Sequence, residues 1–404
     1  MNDTFLPYGR QVIDDDDIAA VTAVLRGDWL TTGPTVEKFE AALAAKVGAR
    51  FAVACSSGTA ALHLATLAAG LKRGDCAVVP SMTFLATANA VRYADAEVVF
   101  ADVDGDTGLL RPEDLEAALA RAQGRVAAVL PVHLAGQTVD TAAIAEIAQR
   151  HGMAVIEDAC HALGSTYQAG GETFQVGSCR HSTMAVFSFH PVKTIAMGEG
   201  GAITTNDPEL YKRLMMLRSH GMTRNSSEFH NVDLAFGADG NPNPWYYEMA
   251  VIGFNYRASD IHCALGLSQL GKLESFIERR RELVAQYDKL LAPLIPQVRP
   301  PERVPTCDPA WHLYAPRFDF AAIEGGRAGL MQRLRDAGVG TQVHYIPVHR
   351  QPYYLERLGE QQLPGAMAYY RATLSLPLFP SMADADVGRV VDAIQNATEV
   401  SLRS

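Results

Sequence analysis

Between residues 50 and 205, short apolar runs alternate with amphipathic stretches. The runs have the length and the β-branched residues of strands, and the stretches between them carry apolar residues at helical spacing. The predicted strands are residues 51–54, 77–80, 98–103, 127–132, 154–158, 185–189 and 202–205. The predicted helices between them are residues 58–70, 83–94, 112–122 and 139–151. This alternation predicts an α/β fold with a mixed, mostly parallel sheet covered on both faces.

The pattern changes on either side of this region. Four aspartates from Asp14 to Asp17 suit the first turn of a helix that ends near Arg26. An irregular stretch runs from Gly221 to Gly253, helical spacing returns over 259–292, and a proline-rich segment follows. A smaller α+β unit is predicted from strands near 312–320 and 341–345 and helices near 326–337 and 384–397. We expect an N-terminal segment (1–30), a large domain (31–258), and linking helices with a small C-terminal domain (259–404).

Composition narrows the classes of function. Hydrophobic residues make up 48% of the chain, enough for a large core, and the net charge is −10. An acidic chain is a poor ligand for nucleic acid or anionic membranes, so we expect neither as a partner. The six cysteines form no Cys-x-x-Cys pair, and the N-terminus lacks the features of a signal peptide. We therefore expect a cytoplasmic protein with reduced thiols.

The first chemical signal is a lysine in a loop directly after an apolar strand. Lys193 stands in FSFHPVKTIAMGEGG, residues 187–201, and a glycine-rich turn follows it. An amine in such a loop can form a Schiff base with a carbonyl compound when burial keeps part of it neutral. A solvated surface lysine is the alternative, and this segment alone does not decide between them.

The second signal is an acid at a strand end. Asp158 closes the strand of AVIEDACHALGS, residues 154–165, and so lies at the edge where α/β folds bind ligands. A pyridoxal cofactor needs a carboxylate beside its ring nitrogen, and His161 can stack on or hydrogen-bond to such a cofactor. A strand-end or helix-cap aspartate is the alternative. Because no second ligand stands four residues after His161 and the chain has no His-Glu-x-x-His pattern, we expect no metal site.

The third signal lies between the first strand and the next helix. Ser56, Ser57, Gly58 and Thr59 are small, so the backbone can approach a phosphate, and free amides at a helix start bind it. The same residues make an ordinary helix cap. They form neither a Walker A loop nor a Gly-x-Gly-x-x-Gly fingerprint, which disfavours ATP and NAD. Together, the three signals are the parts that a pyridoxal 5'-phosphate enzyme requires.

Five segments in this order resemble the nucleotide-sugar aminotransferases of the DegT/StrS family. The segments are SSGTAALH (56–63), PSMTFLATANAV (80–91), EDACHALGS (157–165), FSFHPVKTIAMGEGG (187–201) and GFNYRASDIHCALGLSQL (253–270). The likeness extends from about Tyr8 to about residue 397. It implies the aspartate-aminotransferase fold, or fold type I, with a large cofactor-binding domain and a smaller C-terminal domain.

The resemblance also implies roles for single residues. Lys193 would carry the cofactor and act as base, acid and nucleophile in turn, and Asp158 would pair with the ring nitrogen. The other implied cofactor-binding residues are Ser57, Gly58, Thr59 and Ser188 at the phosphate, Phe84 stacked on the ring, His161 near the 3-hydroxyl, and Asn255 reaching the phosphate of a second subunit. The segments implied for the nucleotide-sugar hold Tyr8, Asp28, Trp29, Leu30, Thr31, His344, Tyr345, Ile346 and Pro347. The family pattern implies a homodimer with shared active sites.

Within the family, the likeness is greatest to members that act in pseudaminic acid biosynthesis. It rests on RSHGM (218–222), NPWYYEM (243–249) and QVHYIPV (342–348). It implies transfer of an amino group from L-glutamate to C4 of a UDP-linked 2-acetamido-4-keto-6-deoxyhexose. Perosamine-type or bacillosamine-type acceptors remain the alternative, because those enzymes share the cofactor segments.

Two other classes of function are weighed against transamination. Related dehydratases replace the lysine with histidine, so Lys193 favours amino transfer. A non-catalytic pyridoxal-phosphate-binding regulator would need a DNA-binding module, which does not suit this acidic chain.

Overall fold

A computed structural model describes residues 5–399 of the chain. The predicted N-terminal and C-terminal parts include residues 1–4 and 400–404, which lie outside the described residues. The strands are β1 (Phe51–Cys55), β2 (Asp75–Pro80), β3 (Glu97–Ala101), β4 (Arg125–Val129), β5 (Ala154–Asp158), β6 (Thr166–Ala169), β7 (Glu172–Gln175), β8 (Met184–Ser188), β9 (Gly201–Thr205), β10 (Met222–Thr223), β11 (Glu248–Met249), β12 (Val298–Arg299), β13 (Cys307–Asp308) and β14 (Arg317–Phe318).

Helices precede, separate and follow these strands. They are α1 (Asp15–Leu25), α2 (Pro34–Val47), α3 (Gly58–Ala68), α4 (Leu85–Tyr93), α5 (Pro112–Arg121), α6 (Thr141–His151), α7 (Pro208–Arg218), α8 (Val232–Ala235), α9 (Asp260–Gly271), α10 (Leu273–Leu291), α11 (Gly326–Asp336), α12 (Pro352–Leu358), α13 (Pro364–Ala372) and α14 (Asp384–Glu399). Among the described residues, no helix is both long enough and apolar enough to cross a bilayer.

A seven-stranded sheet forms the centre of the molecule. Its order is β1-β9-β8-β5-β4-β2-β3, and β9 runs antiparallel to both of its neighbours while the other neighbouring pairs are parallel. The antiparallel pair β8 and β9 is joined by the loop of residues 189–200, which contains no helix of the kind that usually connects parallel strands. The prediction of an α/β fold with a mixed, mostly parallel sheet is confirmed.

Three apolar clusters hold these layers together. One packs α3 to α6 against the sheet, and a second packs α2 and α9 against it. The third joins α10, α11 and α14 and includes Leu6 from the start of the chain. The Leu6 amide donates to the Gly338 carbonyl at 2.9 Å, so the N-terminal segment is bound to the C-terminal part. The domain boundaries drawn from the sequence stay a prediction.

The helical structure predicted over 259–292 is confirmed, and it is divided at Lys272 into α9 and α10. Two other local predictions differ from the structure. Residues 312–320 contribute only the two-residue strand β14. Residues 341–345 form no strand, since the backbone hydrogen bonds of this segment join Gln342 to a single residue, Ser375. Helix α2 was not predicted from the sequence.

Candidate active site

A cavity of about 580 Å³ opens where the parallel strands of the sheet end. This volume suits a small-molecule site. Segments that follow β1, β2, β4, β5 and β8 form its floor, and the N-terminal segment and residues 342–351 cover it. The predicted site residues that line it are Tyr8, Ser57, Gly58, Thr59, Phe84, Asp158, His161, Ser188, Lys193, His344, Tyr345 and Ile346.

Other predicted residues are not among those that line this cavity. They are Asp28, Trp29, Leu30, Thr31, Asn255 and Pro347. Thr31 pairs with Ser259, and the side chains of Trp29 and Leu30 are exposed. Asn255 is also exposed. The Asp28–Thr31 segment and Asn255 therefore lie at the protein surface.

Lys193 is held by the loop that joins β8 to β9. The Phe189 amide donates to the Gly200 carbonyl and the Met197 amide to the Phe189 carbonyl, both at 2.9 Å, which closes the base of the loop. The Lys193 amide donates to the His190 carbonyl at 2.8 Å. Burial lowers the pKa of the Lys193 amine, while Cys160 and Asp158 act in the opposite direction. The neutral amine, the form able to act as a nucleophile or base, is therefore favoured relative to a surface lysine.

Asp158 is buried at the end of β5, and both of its carboxylate oxygens have donors. Oδ2 accepts a hydrogen bond from Thr87 Oγ1 at 2.6 Å, and Oδ1 accepts one from the Cys160 amide at 3.2 Å. The side chain still borders the cavity. A basic ring nitrogen in the cavity would find an oriented acceptor here.

The start of α3 forms one corner of the cavity. Ser57 Oγ accepts the Ala60 amide at 3.1 Å, so the amides of Gly58 and Thr59 remain first-turn donors without a helical acceptor. A Cβ atom on Gly58 would lie 2.8 Å from Cβ of Ser188, so glycine is required for the helix to approach β8. Amides and hydroxyls at a helix N-terminus match a phosphate group.

Histidines and a tyrosine form the opposite wall. His161 Nδ1 accepts the Ala135 amide at 3.3 Å, so Nε2 carries the hydrogen and donates to the Tyr345 hydroxyl at 3.0 Å. Burial lowers the pKa of His161 well below its usual value, and the charge of Lys193 acts in the same direction. Burial also lowers the pKa of His344 to about 3. These two rings are neutral at pH 7, whereas the amine of Lys193 can carry a positive charge.

Several residues that line the cavity were not predicted from the sequence. Thr83 is next to Phe84 in PSMTF, and Cys160 lies between Asp158 and His161, so their positions beside predicted site residues could have indicated them. His312 follows the proline-rich segment, and no local signal points to it. His190 also borders the cavity. Within residues 5–399, no group of three metal-ligating side chains is placed to hold a metal.

The donor set fits pyridoxal phosphate. Helix amides line the cavity and can bind a phosphate, and the carboxylate of Asp158, whose oxygens are held by hydrogen bonds, can accept from a ring nitrogen. The amine of Lys193, whose pKa burial lowers, can bond a carbonyl carbon. The exposed ring of Phe84 forms part of the wall between them.

Comparisons with known proteins agree with this geometry. Residues 11–395 match the model of the DegT/DnrJ/EryC1/StrS aminotransferase family. The chain is 40% identical over 395 residues to the spore coat polysaccharide biosynthesis protein SpsC of Bacillus subtilis (strain 168), with 97% of each chain covered.

Solved structures show the same architecture. PseC of Helicobacter pylori, an aminotransferase involved in the biosynthesis of pseudoaminic acid, is 28% identical with a TM-score of 0.86, over 98% of this chain and 100% of that one. The putative sugar aminotransferase Spr1654 of Streptococcus pneumoniae is 27% identical in both its pyridoxal phosphate and pyridoxamine phosphate forms, with a TM-score of 0.86. The pyridoxal phosphate form covers 98% of this chain and 99% of Spr1654, and the pyridoxamine phosphate form covers 99% of each.

Proposed function

The chain belongs to the DegT/DnrJ/EryC1/StrS aminotransferase family of pyridoxal-phosphate-dependent sugar aminotransferases, and on this premise we propose its acceptor and its pathway. We propose that it transfers the amino group of L-glutamate to C4 of a UDP-linked 2-acetamido-4-keto-6-deoxyhexose in pseudaminic acid biosynthesis. The observation that carries this proposal is the likeness to PseC over 98% of the chain, including the segments that cover the cavity.

The cofactor has a place for each of its groups. In this proposal the amides of Gly58 and Thr59, with Ser57 and Ser188, hold the phosphate, and Asp158 pairs with the ring nitrogen. The other contacts are Phe84 on the ring face, His161 toward the 3-hydroxyl, and Lys193 at the carbonyl carbon. When bound, pyridoxal phosphate supplies a carbonyl that takes up the amino group and a ring that accepts electrons.

Lys193 moves the protons of both half-reactions. Its Nζ atom removes the proton from Cα of glutamate in the first half, and delivers a proton to C4 of the sugar in the second. A base must be unprotonated, and burial favours the neutral form of this amine. The neutral imidazoles of His161 and His344 do not compete with it for the role of general acid.

The covering segments hold the nucleotide-sugar in this proposal. Tyr8 and His344 have ring centroids 5.3 Å apart, and Tyr345 and Ile346 continue the same wall. These residues are far apart in the chain, and in the folded protein they line the same cavity. Because contacts with the remote nucleotide orient the ketone against the amine, a free sugar should lose turnover as well as affinity.

A second copy of the chain completes the site in this proposal. Residues 232–252 expose Trp245 at 72% and Ile252 at 81%, and Met249 is exposed between them. Apolar side chains concentrated in one surface segment are typical of a protein interface. Asn255 follows this segment and is not among the residues that line its own chain's cavity, so we place it, with Asp28–Thr31, at the cavity of the partner subunit.

We also place the enzyme in the cytoplasm, because its six cysteines are unpaired thiols.

A product assay tests the acceptor. The purified protein is loaded with pyridoxal phosphate, given L-glutamate, and offered the UDP-linked 2-acetamido ketosugar beside GDP- and TDP-linked 4-ketosugars that lack the acetamido group. We expect the highest kcat/KM for the UDP compound, with a new amine at C4 in the NMR spectrum of the product. Faster amination of a GDP- or TDP-linked sugar would overturn the acceptor and leave the aminotransferase activity in place.

A further inference from the structure

A row of three side chains connects the loop after β2 to the acid of the site. Thr83 Oγ1 lies 2.7 Å from Thr87 Oγ1, and Thr87 Oγ1 lies 2.6 Å from Asp158 Oδ2. Thr87 is fully buried, and Thr83 and Asp158 are 1% and 5% exposed. Because all three side chains are buried, bulk water does not compete for these hydrogen bonds.

The charge of Asp158 fixes the direction of both hydrogen bonds. An ionised carboxylate only accepts, so Thr87 must donate its single hydroxyl hydrogen to Asp158. The oxygen of Thr87 is then the acceptor for Thr83, which must donate in turn. Each bond polarises the next, so the row stabilises the ionised acid more than one isolated hydroxyl would.

The local fold explains why the two threonines stand in line. Phe84 is the N-cap of α4, and Thr87 lies in the first turn of that helix, where its amide bonds to the Phe84 carbonyl at 3.3 Å. Thr83 precedes the cap, so residues four apart bring their hydroxyls to the same side of the helix start, facing β5. The same turn presents Phe84 to the cavity.

We propose that Thr83 and Thr87 are positioning residues that hold the carboxylate of Asp158 oriented toward the ring nitrogen of the cofactor. The inference rests on the proposed cofactor site but not on the identity of the sugar. The Cys160 amide holds the second oxygen, so the row and this amide together fix the plane of the carboxylate. Loss of the Thr87 hydroxyl removes the donor to Oδ2 and leaves Thr83 without its acceptor.

Substitutions that differ in one atom separate this role from packing. Thr87→Val keeps the shape and loses the hydroxyl, whereas Thr87→Ser keeps the hydroxyl and loses a methyl group. Thr66→Val is the matched control, because Thr66 is equally buried but bonds to the His63 and Ala90 carbonyls away from the cavity. Each holoenzyme is prepared with pyridoxal phosphate labelled with ¹⁵N in the ring, and the ¹⁵N chemical shift is followed against pH.

We expect the ¹⁵N signal of the ring nitrogen in Thr87→Val to move toward that of an unprotonated nitrogen, because a carboxylate that has lost a donor is a stronger base and takes a larger share of the proton between them. We also expect a turnover about tenfold lower, as for a lost hydrogen bond to a charged group. Thr87→Ser and Thr66→Val should keep the wild-type nitrogen signal. An unchanged signal in Thr87→Val, or equal changes in Thr87→Val and Thr87→Ser, would overturn the inference.

Thr83→Val guards against a folding defect in Thr87→Val. It should move the nitrogen signal in the same direction by a smaller amount, and a wild-type signal would again contradict the proposal. The readout needs no sugar acceptor. A wrong acceptor would therefore leave it intact, and a wild-type protein that binds no pyridoxal phosphate would instead disprove the cofactor site itself.

Discussion

Arg218 and Glu40 form a buried ion pair, and both side chains hydrogen-bond to the backbone of Ala54. Arg218 Nη1 lies 2.5 Å from Glu40 Oε1 and donates to the Ala54 carbonyl at 2.7 Å, while Glu40 Oε1 accepts the Ala54 amide at 2.8 Å. Ala54 is the penultimate residue of β1, a few residues before the start of α3 at the cavity. The pair therefore joins α2 and α7 to the strand that positions the start of α3.

Arg218→Met should destabilise the fold by about 3–5 kcal/mol, because it leaves the carboxylate of Glu40 buried without its partner. Chemical unfolding of the apoprotein measures this loss. Replacing both residues, as Glu40→Gln with Arg218→Met, should restore part of the stability, since no buried charge then remains. A double variant no more stable than Arg218→Met would contradict this account.

The loss should also depend on pH. Burial raises the pKa of Glu40 even with Arg218 beside it. An acid whose pKa is higher in the folded state than in the unfolded state binds its proton more tightly in the folded state. The free energy of unfolding therefore falls as the pH rises from the unfolded pKa toward the folded pKa. Without Arg218 the pKa rises further, and Arg218→Met should lose more stability between pH 5 and pH 8 than the wild type does. Parallel pH curves for the two proteins would contradict this.

Lys193 should hold pyridoxal phosphate covalently. The amine stands in the β8–β9 loop in the same cavity as Asp158 and the start of α3, and burial lowers its pKa. Borohydride reduction of the holoenzyme, followed by peptide mass spectrometry, should find the pyridoxyl group on this lysine. Lys193→Ala should show no such adduct and no amino transfer, although it can still bind the cofactor. An adduct on another lysine would reassign the site.

The enzyme class and the cofactor could be predicted from the sequence, because each chemical signal is local to a strand end. The seven strands of the central sheet were found, and the family, the enzyme class and the cofactor are confirmed by the comparisons. The row from Thr83 to Asp158 was not predicted, since Thr87 and Asp158 stand 71 positions apart in the chain and meet only in the folded protein.

Asp158→Asn should reduce turnover far more than stability. The amide is nearly the same size and can still accept from Thr87, so the fold loses little. It no longer carries the negative charge that holds a proton on the ring nitrogen, and the ring loses its capacity to accept electrons. We expect turnover to fall by at least about 100-fold, which is about 2.7 kcal/mol in the barrier, while the melting temperature changes by only a few degrees. Near-normal turnover would show that the ring lies elsewhere.

Mixed dimers test whether two chains share each site. Asn255 is exposed and is not among the residues that line its own cavity, and the segment before it exposes Trp245 and Ile252. If Asn255 reaches the partner's cofactor, Lys193→Ala and Asn255→Ala subunits are each inactive alone. In a mixed dimer, one site pairs the intact Lys193 of one chain with the intact Asn255 of the other, so activity should return to about half per heterodimer.

The control for the mixed dimers is Asn206→Ala. Asn206 is also a surface asparagine, but its side chain bonds to Arg50 and Ser178 within its own chain, so this variant should stay active without complementation. Subunit exchange is verified by native mass spectrometry of chains with different tags. If exchange is complete and the mixture stays inactive, each cavity is complete within one chain. Asn255 would then act within its own subunit, because a residue that acts there cannot be supplied by the neighbouring one.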